Sequence, residues 1–254
     1  MKRIELFSCP MDVGTMDEAV ELICSRLDRR QFTQHVVVNV AKLVHMQRDA
    51  ELAASVRACD LINIDGMGVV WGARLLGVPV PERVAGVDLF ERLLEMAARK
   101  DLSVFLLGAT EAVVARTAVV VSERYPGLRI AGYHHGYFWD DEKCVVEMIR
   151  QSGARLLFVA ITSPKKENFI DRWKGYLGVD FVMGVGGTFD VVAGRVRRAP
   201  RWMQCSGLEW AFRVAQEPRR MWKRYFVTNA LFTLMLLKTR LALVLNRTAG
   251  GHVK

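Results

Sequence analysis

An aspartate at the end of an apolar run, two turns rich in glycine or proline, and a pair of lysines are the places in this sequence where chemistry could be done. Asp65 follows LINI and precedes Gly66. Its carboxylate therefore lies at the end of a strand, beside backbone that glycine lets a ligand approach. Two roles fit it from sequence alone: capping a helix that starts at Met67, or acting as general base toward a hydroxyl within hydrogen-bond reach. The segment GVGGTFDVVAG, residues 184–194, follows the run FVM and leads into a short helix, which is the placement of a phosphate-cradling turn built on Gly186 and Gly187. It has neither the GxGxxG spacing of dinucleotide folds nor the terminal Lys-Ser/Thr of a P-loop. Asp190 repels phosphate but suits a nucleobase or a ribose. In ITSPKKE, residues 161–167, Pro164 starts a helix whose first turn carries Lys165 and Lys166 ahead of Glu167. Such a turn attracts an anion, or is simply a solvated helix start. Gly108 closes the run LSVFLLG in the same way.

No Asp-x-Asp follows a strand, and no His/Cys set has the spacing of metal ligands. A reaction without metal or cofactor is expected, with developing negative charge met by Arg, Lys and helix N-termini. His134 and His135 in HHGYF read as loop or core residues, and Asp140, Asp141 and Glu142 as a helix start.

The elements that must position these residues alternate. Short apolar runs rich in β-branched residues stand at 35–40, 61–64, 104–107, 128–131, 156–161 and 181–183, as expected of parallel strands covered on both faces. Helical patterns separate them: one opening with Thr15 and Glu18 in capping-box spacing, one from Met67 to a stop at Gly77, and others near 87–99, 112–124, 142–151 and 166–173. The pattern predicts an α/β fold, a Rossmann-like parallel sheet flanked by helices, over residues 1–194. In such a sheet ligands sit beyond the carboxyl ends of the strands. From 195 to 254 the sequence turns helix-like and rich in Arg and Trp, and is expected to form a separate basic appendage.

The charge supports that division. The chain of 254 residues carries a net charge of +9. Between Arg195 and Arg247 twelve Arg and Lys residues face only Glu209 and Glu217, which covers the whole excess. Five cysteines without a close pair argue against a disulfide framework or a zinc site. The N-terminus lacks the apolar core of a signal peptide, so a cytoplasmic protein is expected. Near the C-terminus an apolar run from Ala230 to Leu237 is broken by Lys238 and Arg240. It is shorter than the about 20 residues a bilayer span needs. With Trp202, Trp210, Trp222 and Tyr225 interleaved among arginines, it reads as an amphipathic helix lying in the membrane interface, or as a helix packed on the protein's own core. The apolar run speaks against nucleic-acid binding by the same basic stretch.

Five stretches in order carry a family resemblance: IDGMGVVWGARLLG with PERVAGVDL at 64–89, HHGYF at 134–138, SPKKE at 163–167, GVGGTFDVVAGRVRRAPRWMQ at 184–204, and GLEWAFRVAQEPRRMWKRY at 207–225. Together they resemble the WecG/TagA/CpsF family of bacterial glycosyltransferases over about 35–225. The resemblance implies inverting, metal-independent transfer from a UDP-sugar of N-acetylmannosamine type onto a polyprenyl-diphosphate-linked sugar, at the inner face of the cytoplasmic membrane. It implies Asp65 as base and Asp190 near the uridine, and an appendage whose Arg213, Arg219 and Arg220 close over the site and bind the membrane. Gly66 and Arg83 fall in the same motifs and, with Asn39 at the family's Thr-x-Asn position, are expected to bind substrate, as are Gly108, Gly186, Gly187, Lys166 and Glu167.

Two departures fall in the expected pocket. Val37, Val38 and Asn39 replace a Thr-x-Asn, and Pro164, Lys165, Lys166 and Glu167 replace a Pro-x-Gln-Glu. A hydroxyl is lost and a neutral amide becomes a cation, which points to a changed sugar specificity. The competing reading, for which these losses are the best support, is a non-catalytic protein that binds a nucleotide sugar or lipid diphosphate at the membrane surface.

Overall fold

The computed structural model describes residues 1–249, with side chains except at 220, 244 and 246–249. The chain opens with β1 (Lys2–Leu6) and β2 (Cys9–Val13), a hairpin absent from the sequence expectation, and continues through α1 (Met16–Asp28). Then come β3 (Thr33–Val38), α2 (Val40–Met46), α3 (Ala50–Arg57), β4 (Leu61–Ile64), α4 (Met67–Leu75) and α5 (Gly86–Arg99). The remainder of the sheet region is β5 (Ser103–Gly108), α6 (Glu111–Arg124), β6 (Arg129–His134), α7 (Glu142–Gln151), β7 (Leu156–Ala160), α8 (Lys165–Trp173), β8 (Phe181–Gly184) and α9 (Thr188–Val192). Three helices follow: α10 (Arg201–Cys205), α11 (Glu209–Gln216) and α12 (Pro218–Ala249).

The six predicted runs form one parallel sheet of order β4-β3-β8-β7-β5-β6. Its alternation explains why each run reads as continuously apolar. Val104, Leu106, Leu156, Phe158, Phe181 and Met183 point toward α1, α5 and α6. Their neighbours Phe105, Leu107, Leu157, Val159 and Val182 point the other way, toward α7 and α8. On that second face Val36, Val38, Ile62 and Ile64 pack under α2, α3 and α4. The fold is therefore a Rossmann-like parallel sheet covered by helices on both faces.

Two local corrections matter for the site. The strand expected to run through Val40 ends at Val38, because Asn39 turns away and accepts from the Lys42 N–H at 3.0 Å as the cap of α2. The β1–β2 hairpin packs beside β4, the edge strand: Asp12 accepts from the Ile62 N–H and, through its carbonyl, from Asn63 Nδ2, both at 2.9 Å. Its two-residue turn uses Phe7 and Ser8 at φ +54° and +56°, the left-handed pair that a tight hairpin requires.

Helix α12 is continuous through Lys238 and Arg240, so its apolar stretch is longer than the run read from the sequence. Residues Met221–Leu243 are long and apolar enough to cross a membrane by length and composition. The helix is not amphipathic in the expected sense either. One stripe, Thr228, Phe232, Met235 and Leu236, packs on the body of the protein, while Leu234, Leu237 and Leu241 on other sides are exposed. Phe232 is the centre of the packed stripe. Its ring meets Phe7 edge-on at 5.5 Å and sits over Gly72 of α4, where a Cβ would come within 3.0 Å of it.

Candidate active site

Asp65 is the first residue beyond β4, and its N–H donates to the Val38 carbonyl at 2.9 Å, which ties the ends of β3 and β4 together. The capping role open to it in the sequence belongs instead to Gly66, which makes no side-chain cap bond. The carboxylate is thus free of α4. The Gly86 backbone N–H at the start of α5 favours its charged form, and that segment is pinned to β4 by the Val84 N–H on the Ile64 carbonyl at 2.9 Å. Burial raises the Asp65 pKa above the ordinary carboxylate range. Arg83 and Arg213 pull it back down, Glu209 pushes it further up, and the net shift is upward. A carboxylate held in this way is a better proton acceptor than an exposed one.

Above Asp65 opens a cleft of about 620 Å³. Asn39, Gly66, Trp71 and Arg83 line one side; Glu209, Trp210, Arg213, Arg224 and Tyr225 come from the C-terminal helices. The two sides are joined by charge. Arg83 Nη1 meets Glu209 Oε2 at 3.0 Å, both side chains largely buried, and Arg213 Nη2 stands 3.8 Å from the other Glu209 oxygen. Gly207, at φ +72°, fits flat against Trp71, where a Cβ would lie 2.8 Å from the indole. The floor offers a base, the walls offer guanidinium groups, and one edge, formed by Thr228, Phe232 and Leu236 of α12, is largely apolar. Such a site can take a proton from a neutral hydroxyl while cations receive negative charge from a departing group.

Comparison with known proteins decides the class. The description "Glycosyl transferase WecG/TagA/CpsF family" matches residues 4–245. The chain belongs to this family. A relative from Bacillus spizizenii, named N-acetylglucosaminyldiphosphoundecaprenol N-acetyl-beta-D-mannosaminyltransferase, is 37% identical over 187 residues, covering 74% of this chain and 72% of the relative. One of the same name from Bacillus subtilis is 36% identical over 191 residues, covering 75% and 73%. In this glycosyltransferase the stretches that begin at 64, 134, 163 and 184 stand at the carboxyl ends of β4, β6, β7 and β8, and the stretch 207–225 lies on α11 and α12.

The expected site residues of the glycosyltransferase fall into three groups. Asn39, Asp65, Gly66, Arg83 and Arg213 meet in the cleft. Gly108, the last residue of β5, and Gly186, Gly187 and Asp190, beyond β8, stand outside its described lining; the Asp190 backbone carbonyl accepts from the Arg195 and Val196 N–H groups. Gly108, at φ +127°, lies so close to the Ala160 carbonyl that a Cβ would stand 2.4 Å from its oxygen. Lys166 and Glu167 are buried and form the third group: Lys166 and Lys42 each place Nζ 2.7 Å from Glu167 Oε1. Lys165 lies over the Trp139 ring at 4.7 Å. Arg219 is exposed, and the Arg220 side chain lies outside the described residues. Sequence reasoning missed Glu209, read only as a minority charge, and Lys42. No local signal marks either, since each takes its role from a partner more than a hundred positions away in the chain. Among the described residues no three His, Cys, Asp or Glu side chains gather as metal ligands.

Proposed function

We propose that this glycosyltransferase moves a sugar of N-acetylmannosamine type from a UDP-sugar to a polyprenyl-diphosphate-linked acceptor, with inversion, at the inner face of the cell membrane. The observation that carries it is the uncapping carboxylate of Asp65 on the floor of a cleft walled by Arg83, Arg213 and Arg224. The acceptor sugar's hydroxyl oxygen attacks the anomeric carbon as Asp65 takes its proton. The bond from that carbon to the diphosphate oxygen breaks on the opposite side, and UDP leaves with the electron pair. The guanidinium groups receive the charge on the departing diphosphate in place of a divalent ion. The names of the two Bacillus relatives support the sugar and the lipid acceptor. The apolar edge formed by α12 supports a substrate with a hydrocarbon tail, and free cysteines throughout the described residues suit a reducing compartment.

Asp65→Asn tests the reading, assayed as UDP release with UDP-N-acetylmannosamine and a lipid-diphosphate-linked N-acetylglucosamine. Turnover should fall by roughly 10²-fold or more, the usual contribution of a general base, while UDP binding stays within about threefold of wild type. Near-normal turnover would take the base role from Asp65. Tight UDP binding by the wild type without UDP release from any donor would replace the enzyme by a binding protein.

A further inference from the structure

A second concentration of charge lies inside the fold and has no part in the chemistry above. Lys42, in the first turn of α2, and Lys166, in the first turn of α8, share the single carboxylate of Glu167, and all three side chains are less than a tenth exposed. Lys42 also donates to the Val37 carbonyl at 2.8 Å. Two ammonium groups on one carboxylate leave a surplus positive charge where water cannot screen it, an arrangement that costs stability until an anion arrives. Among the described residues, no carboxylate other than that of Glu167 lies within 4.0 Å of either ammonium to cancel it. The further charged group that acts on Lys166 is Arg224 of α12, which has the same sign.

The position of the surplus says which ligand it meets. Lys166 lies under Gly184, the last residue of β8, so closely that a Cβ there would stand 2.7 Å from Lys166 Cε. The glycine turn through Gly186 and Gly187 begins at this point, and a Cβ on either would meet nothing within 4 Å, so the turn is open outward. We infer that the Lys42–Glu167–Lys166 cluster is a specificity determinant, its surplus charge selecting an anionic group of the donor: the diphosphate, or a carboxylate on the transferred sugar. The inference rests on the donor assignment made above.

Burial lowers the Lys166 ammonium to about 8, with Lys42 and Arg224 adding to the fall and Glu167 opposing it. The surplus charge is therefore present below about pH 8 and fades above it. The test is calorimetric titration of the full chain with UDP, a UDP-hexose and the matching UDP-hexuronate at pH 7 and pH 9. The wild type should bind its preferred donor about tenfold more weakly at pH 9, where about a tenth of such an amine stays charged. Lys166→Gln should bind at both pH values as the wild type does at pH 9. Lys166→Arg, which keeps the charge, should bind at pH 9 as tightly as at pH 7. Equal weakening of all three ligands by Lys166→Gln assigns the charge to the diphosphate, and weakening of the hexuronate alone assigns it to a sugar carboxylate. Unchanged affinities in Lys166→Gln overturn the inference and leave the donor assignment standing. A wild-type chain that binds none of the three ligands overturns both.

Discussion

At the scale of single residues, with Asp65 as the proposed base, the pH dependence of the reaction is set by what surrounds its carboxylate. The base must be ionised to accept a proton, so activity falls as pH drops through its pKa. Burial has moved that pKa up, so the acid limb of kcat/KM lies above the ordinary carboxylate value of about 4. The neighbours shift it in opposite directions. Arg83→Gln removes a cation that holds the pKa down and should move the acid limb to higher pH. Glu209→Gln removes a carboxylate that pushes it up, and also releases Arg83, so the limb should move to lower pH. Measuring kcat/KM from pH 4 to 8 for both variants checks the pair of signs, and a common direction would refute the arrangement. Ionised Asp65 also costs the fold stability at neutral pH, a cost that shrinks as pH falls through the raised folded-state pKa and is gone below the unfolded carboxyl pKa. The sequence shows Asp65 and Arg83 as candidates, but not their linkage through Glu209, which lies 126 positions from Arg83. Ion pairs made across the fold leave no periodicity, and only the fold creates them.

At the scale of elements, the parallel sheet was readable because strands buried on both faces must be apolar at every position. The departures have equally definite causes. The run from His35 to Val40 is β-branched almost throughout and reads as strand to its end, yet one asparagine side chain suffices to cap a helix at residue 39. The first hairpin escapes notice because its turn places Phe7 and Ser8, rather than Asn-Gly, in the left-handed region. Phe7 is not idle there, since its ring packs on Phe232 and joins the N-terminal hairpin to α12. Phe232 is 4% exposed, in contact with the hairpin and α4. Phe232→Ala should therefore cost about 3 kcal/mol in denaturant unfolding and open the segment around α11 and α12 to limited proteolysis. A loss below about 1 kcal/mol would show that α12 is not seated on the body in solution.

At the scale of the whole molecule, α12 does two jobs with different sides. Its packed stripe forms a wall of the candidate site, and other sides remain apolar while facing outward. Leu234, Leu237 and Leu241 are 54%, 57% and 60% exposed, with Trp222 and Phe226 further along the helix. A soluble helix would carry polar residues there. The cations Lys223, Arg224, Lys238 and Arg240 lie among them, an arrangement that places hydrocarbon in the acyl boundary and charge at the headgroups. A helix docked on the body through Thr228, Phe232, Met235 and Leu236 cannot turn across a bilayer without leaving Gly72 and Phe7, so α12 should lie along the membrane and bring the Asp65 cleft to the lipid-linked sugar. Leu234→Gln, Leu237→Gln and Leu241→Gln combined should weaken sedimentation with anionic phospholipid vesicles by roughly tenfold or more, because each leucine withdrawn from lipid loses part of the about 2 kcal/mol its burial contributes. UDP affinity and the unfolding midpoint should stay near wild type, since none of the three belongs to the packed stripe. Added salt should weaken the remaining binding further, as expected when basic side chains alone hold the surface. Full vesicle binding by the triple variant would assign attachment to charge alone and leave the outward leucines without a membrane role.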